Sequence, residues 1–69
     1  MIGDRIREAR ERRDISQRRL AMRLYLHPST MNLIEHNKVR VTDEKVIPIC
    51  KVLGITPNEL FNWDLYKDL

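Results

Sequence analysis

One cysteine, two glycines and four aromatic residues are few for a chain of 69 residues. The single Cys50 excludes an intramolecular disulfide, and with it the bridges that staple many secreted domains of this size. Two glycines and three prolines are too few for a collagen-like repeat, a low-complexity linker or a turn-rich all-β chain. No window approaches the roughly 20 apolar residues of a membrane span, and the first turns of chain interleave charges where a secretory leader would place an apolar run. No internal repeat is present. There is no glycine-rich phosphate loop, no carboxylate pair at a suggestive spacing and no Ser/His/Asp constellation. His27, His36 and Cys50 lie too far apart in sequence for the close ligand spacing of a zinc site. The expectation is a non-enzymatic protein without metal, cofactor, small-molecule ligand or membrane, in a reducing cytoplasmic setting.

What is present is charge, unevenly distributed. Thirteen Lys and Arg face ten Asp and Glu, for a net charge of +3. Residues 1–40 hold nine Arg and one Lys against five acids, whereas residues 41–69 hold three Lys against five acids. A basic end on a small domain draws polyanions, of which nucleic acid is the commonest; a solvated Arg-rich helix is the alternative. A chain this short supports one small core, so residues 1–69 are expected to form a single domain.

The periodicity is helical throughout. Ile2, Ile6 and Ala9 fall at i, i+4 and i+7 and predict a helix from Ile2 to Arg13, with acids early and arginines late, as the helix dipole favours. Asp14 and Ile15 break it. Ser16 is an N-cap for a second helix, Gln17 to Leu24, which turns Leu20, Ala21 and Leu24 inward and Arg18, Arg19 and Arg23 outward. After Tyr25 to His27, Pro28 stands at a first helical position, where its missing N–H costs nothing. This third helix reaches His36 with Met31 and Ile34 inward, and Asn37 suits the left-handed residue that ends it.

Thr42, Asp43 and Glu44 open a fourth helix whose apolar residues are Val46, Ile47, Ile49, Cys50 and Leu53. Pro48 implies either a kink or a start near Ile47, and Gly54 caps the end. Thr56-Pro57-Asn58-Glu59 is a capping-box start for a brief fifth helix to Phe61. Beyond it Phe61, Trp63 and Leu65 alternate with polar residues, the period of an extended tail.

Two short helices joined by three residues, the second polar at its start, form a helix-turn-helix over about residues 16–36. The major groove of B-DNA, about 12 Å wide, admits one helix whose first turn reaches base edges while the helix before it crosses the backbone. From Ile2 to Leu60 the chain resembles the phage repressor and Cro-like (Xre-type) helix-turn-helix family. The resemblance is carried by Ile6 to Arg10, by Ser16-Gln17 with Leu20-Ala21, by Ser29-Thr30-Met31 with Ile34-Glu35, and by Leu53-Gly54-Ile55.

The resemblance implies an all-α, compact five-helix domain of the lambda-repressor-like type. It implies that Gln17 anchors the second helix to a phosphate and that Pro28, Ser29, Asn32 and Leu33 face the bases. Asn37, Lys38 and Arg40 stand where the family packs its loop on the sugar-phosphate backbone. Arg10 and Glu35 match a structural salt bridge between the first and third helices. Pro28 and Leu33 depart from the polar residues usual at their positions and offer a base only apolar contact. Asn37 and Tyr25 replace usual glycines; an aromatic residue at positive φ is an outlier, so a different turn is expected at Tyr25.

Arg18 and Arg19 add phosphate affinity, and His27 either caps the third helix or touches a phosphate. Phe61, Trp63, Leu65 and Tyr66 are expected to form a dimer interface in a tail spanning 61–69, the alternative being that Phe61 and Trp63 fold back on the first helix. The functional expectation is a repressor-type regulator, bacterial, phage or mobile-element encoded, that binds a palindromic DNA operator as a homodimer. Two alternatives use the same fold: an antitoxin-like or controller-like partner protein, and a protein interaction module that no longer binds DNA.

Overall fold

The computed structural model describes residues 1–61. Among them five helices follow in order: α1 (Ile2–Arg12), α2 (Gln17–Arg23), α3 (Pro28–Glu35), α4 (Asp43–Leu53) and α5 (57–61). No strand occurs among the described residues. The extended tail and the interface roles expected of Trp63, Leu65 and Tyr66 lie outside them.

Each helix contributes a narrow apolar stripe to one core. Ile6 and Ala9 come from α1, Leu20, Ala21 and Leu24 from α2 and its end, Met31 and Ile34 from α3, and Ile49, Cys50 and Leu53 from α4. Leu60 of α5 closes this core from the side. Each such leucine contributes on the order of 1.5–3 kcal/mol by leaving water.

Four successive helices end alike. Asp14, Tyr25, Asn37 and Gly54 adopt left-handed φ values of 60°, 55°, 61° and 67°. The next N–H in each case reaches back five residues: Ile15 to the Arg10 carbonyl, Leu26 to Ala21, Lys38 to Leu33 and Ile55 to Cys50, at 2.9–3.1 Å. These bonds satisfy carbonyls that a helix end would otherwise leave unpaired.

The turn at Tyr25 therefore does not differ, contrary to the sequence expectation. Its ring is 94% exposed, so the left-handed backbone brings it into no clash with the core. The Tyr25 N–H donates to the Met22 carbonyl, and Lys45 Nζ donates to the Leu24 carbonyl at 2.9 Å, pinning the turn to α4.

In α4 the structure settles the Pro48 alternatives, because the helix starts at Asp43 and runs through the proline. Pro48 cannot donate to the Glu44 carbonyl, but Glu44 is exposed and water can take that bond. Ile47 is corrected from the buried face to the surface: it is 50% exposed, one residue off the stripe made by Val46, Ile49, Cys50 and Leu53. Thr42 occupies the N-cap position without a side-chain cap bond.

The start of α1 depends on a feature that periodicity does not reveal. Gly3 is buried, and a Cβ there would collide with the Ile34 and Glu35 carbonyl oxygens at the end of α3. The missing side chain lets two helices approach backbone to backbone. Asn37 completes the junction, accepting the Gly3 N–H on Oδ1 at 2.9 Å and donating from Nδ2 to Asp4 at 3.4 Å. One side chain thus serves the N-terminus of α1 while its backbone terminates α3.

Candidate nucleic-acid interface

The site is built on α2 and α3. Ser16 caps α2, its Oγ accepting the Arg19 N–H at 3.0 Å. Leu20, Ala21 and Leu24 on one side and Met31 and Ile34 on the other are all buried and fix the two helices against each other. Because those stripes face inward, periodicity turns Ser29, Asn32 and Leu33 outward together, all three exposed, Leu33 at 42%.

Pro28 is the first residue of α3, and His27 is its N-cap. His27 Nδ1 accepts the Ser29 N–H at 3.1 Å and lies 2.8 Å from Ser29 Oγ. Of the two roles open to His27 in the sequence, the structure places it in the capping position, with the ring exposed. His36, at the other end of the helix, has Nδ1 2.8 Å from the Asn32 carbonyl, which only accepts; that ring nitrogen donates.

Beneath this surface runs a polar network. Glu35 is fully buried and receives Arg10 at two points, Nε to Oε2 at 2.8 Å and Nη2 to Oε1 at 3.0 Å. The third Arg10 nitrogen donates to the Ile15 carbonyl at 2.9 Å, tying the loop before α2 to the same guanidinium. Gln17 Nε2 donates to Glu35 Oε1 and to Asn32 Oδ1, both at 3.3 Å. A carboxylate only accepts, so the nitrogen end of Gln17 must face Glu35, and this orients its contact with Asn32. Gln17 is half-buried, its amide nitrogen engaged with α3 and its Oε1 left for an outside donor.

Arg18 and Arg19 lie exposed on α2, and Lys38 and Arg40 lie exposed in the loop after α3. Among the described residues none of these four makes an ion pair. Their charges face solvent. Asn37, expected beside them, turns its amide to α1 instead. Its backbone, not its side chain, shapes the loop that carries Lys38.

Two participants carry little signal in the sequence. Lys45 braces the α2–α3 turn from α4, and a lysine in a first turn gives no sign of that partner. Tyr25 exposes nearly its whole ring in that same turn; an aromatic residue where glycine is usual is the one cue to it. Phe61 is 41% exposed beside a recess of about 600 Å³ lined also by Ile2, Ile34, Val39 and Val41. This recess lies between the start of α1, the loop after α3 and the end of α5.

Cys50 is buried in the core, and burial, with the negative charge of Glu59 second, pushes its thiol above the ordinary value of 9.0. Among the described residues, no group of three His, Cys, Asp or Glu side chains is placed to hold a metal ion, and no helix is long and apolar enough to cross a membrane.

A short helix pair locked by a common core, with the second helix presenting its first turns beside unpaired cations, defines a helix-turn-helix DNA-binding domain. Residues 5–65 match the model of the Cro/C1-type HTH DNA-binding domain, and the chain belongs to that family. No curated protein and no solved structure matches it.

Proposed function

We propose that the chain is a transcriptional regulator acting as a repressor, binding a palindromic operator as a homodimer in the cytoplasm of a bacterium or in cells carrying a phage or mobile element. The observation that carries this reading is the exposed face of Ser29, Asn32 and Leu33 on α3 flanked by the free cations Arg18, Arg19, Lys38 and Arg40. In the complex α3 enters the major groove with its N-terminal turn against base edges, and α2 lies across the backbone. Arg18, Arg19, Lys38 and Arg40 hold the phosphates with their charges, Gln17, its amide nitrogen engaged with α3, meets one through its backbone N–H, and His27, its Nδ1 engaged at the cap, adds only Nε2, while Pro28 and Leu33 give apolar contact to a thymine methyl. Asn37 supports the backbone-facing loop. Occupancy of a promoter by the dimer then excludes polymerase without catalysis or ligand.

The dimer reading is supported by the recess at Phe61, whose lining joins Ile2, Ile34, Val39 and Val41 to the polar Lys38, Arg40 and Asp43, and by the apolar character of Trp63, Leu65 and Tyr66 in the sequence. Two copies about 34 Å apart read successive turns of one duplex face. The same recess also favours a second reading, in which its occupant is a different protein, as in an antitoxin-like or controller-like role; sedimentation of the isolated chain at micromolar concentration separates the two. A dimeric mass supports the homodimer, and a monomeric mass removes it.

Selection from a pool of random duplexes at two salt concentrations tests the whole proposal. An enriched palindrome with a steep loss of affinity on adding salt is expected. Retention without enrichment would reduce the role to backbone binding, and no retention at low salt would move it to a protein partner.

A further inference from the structure

His27 constrains what Ser29 can read. Its Nδ1 accepts the Ser29 backbone N–H at 3.1 Å, and a ring nitrogen that accepts a hydrogen bond carries no proton of its own. The neutral ring therefore holds its proton on Nε2. The same bare Nδ1 lies 2.8 Å from Ser29 Oγ. Between a bare nitrogen and a hydroxyl only one polarity is available: the Oγ–H donates and Nδ1 accepts.

A serine hydroxyl has a single proton. With that proton committed to His27, the exposed side of Ser29 offers only oxygen lone pairs. A free serine rotates to suit either partner and reads a base acceptor or a base donor alike. Here the rotor is locked from within the protein, by the residue that also caps α3.

We propose that His27 makes Ser29 an acceptor-only contact, so that Ser29 recognises the exocyclic amino group of adenine or cytosine in the major groove and not the O6 and N7 of guanine or the O4 of thymine. The inference rests on the proposed role of α3 as the base-reading helix. His27 is then a positioning residue for specificity, acting through Ser29.

The test uses the full chain and its selected operator. Ser29→Ala first identifies the base position whose preference depends on Ser29. At that position the amino group is exchanged for a carbonyl, adenine being replaced by hypoxanthine or cytosine by uracil with the partner base changed to keep the pairing, and binding is measured for the unaltered protein, Ser29→Ala, His27→Ala and His27→Asn.

For the unaltered protein the exchange should cost about tenfold more in affinity than it costs Ser29→Ala, the size of one good base contact. In His27→Ala the freed hydroxyl can turn and donate to the carbonyl, so the exchange should cost within about twofold of what it costs Ser29→Ala. His27→Asn keeps an acceptor at the cap and should restore the penalty.

Loss of a helix cap alone would weaken every duplex evenly and leave the amino dependence intact. An equal penalty in the unaltered protein and His27→Ala overturns the inference, as does no penalty in the unaltered protein. An operator with no position that depends on Ser29 overturns it while leaving operator recognition standing. Absence of any enriched sequence overturns both.

Discussion

Arg10 and Glu35 form a two-point ion pair between α1 and α3, 2.8 and 3.0 Å long, with the carboxylate wholly removed from solvent. The remaining Arg10 donor is taken by the Ile15 carbonyl, and Glu35 Oε1 also receives Gln17. One buried charge thus joins the end of α1, the start of α2 and the end of α3. Removing one partner strands the other in a site with little water, which costs several kcal/mol, whereas an exposed arginine contributes little. Glu35→Ala should lower unfolding free energy by about 3–5 kcal/mol, against under about 0.5 kcal/mol for Arg12→Ala. Urea denaturation checks this, and equal midpoints would refute it.

Gly3 should not tolerate a methyl group. A Cβ would press on carbonyl oxygens of Ile34 and Glu35, which are backbone atoms and cannot rotate away. Gly3→Ala is expected to destabilise by about 1–3 kcal/mol, although alanine is the better helix former. Thermal unfolding gives the sign directly; a higher midpoint would mean that α1 shifts freely on α3.

Tyr25→Gly should do the opposite. The left-handed backbone costs a non-glycine residue roughly 1–2 kcal/mol, and an exposed ring loses no packing when removed. Part of that gain is offset by the greater freedom of glycine in the unfolded chain, leaving about 1 kcal/mol. A rise in thermal midpoint is the expected result, and a fall would show that the ring holds the turn.

The thiol of Cys50 gives a pH signature. Its folded-state value is raised, first by burial and then by Glu59, above the ordinary 9.0. Below 9.0 the thiol is protonated in both states, so its full contribution to stability is present. Above it the unfolded chain ionises first, and that contribution is lost as pH rises through the folded value. The stability difference between the protein and Cys50→Ala should therefore shrink as pH climbs past 9.0. A thiol reagent should label Cys50 only on unfolding.

Arg18, Arg19, Lys38 and Arg40 should differ from Ser29 and Asn32 in kind. Replacing Arg18 or Lys38 by Ala is expected to weaken all duplexes together and lower the salt slope by about one, because each cation displaces counterions without reading sequence. Replacing Ser29 or Asn32 should relax preference at particular base pairs and leave the slope. Fluorescence anisotropy titrations at several salt concentrations distinguish the two patterns.

Much of the fold and of the outward face of α3 is legible in the order of residues. The stripes Ile6–Ala9, Leu20–Ala21–Leu24 and Met31–Ile34 place the core residues and therefore, by exclusion, the exposed set of Ser29, Asn32 and Leu33. Ser16 and Thr56 cap as their types predict, accepting Arg19 N–H and Glu59 N–H. Periodicity misplaces Ile47, because an apolar residue beside a stripe looks like part of it until the helix is set against its neighbours. The rarity of aromatic residues at positive φ misjudges the turn at Tyr25, because backbone preference takes no account of the bonds to the Met22 carbonyl and from Lys45 that hold it.

Sequence alone determined the elements, the buried stripes and the basic end, since helical period, capping chemistry and charge are local properties of a chain. The tertiary structure decided which polar atoms meet. Gly3 matters only because α3 ends against it, Asn37 turns its amide to α1 only because the N-terminus of that helix is there, and Ser29 commits its proton to His27 only in the folded turn. These are relations of distance between groups, and a hydrogen bond falls away within an ångström of its optimum. Spacing along a chain sets the faces of its helices, whereas the polarity of a contact is set by whichever partner the fold brings within about 3 Å.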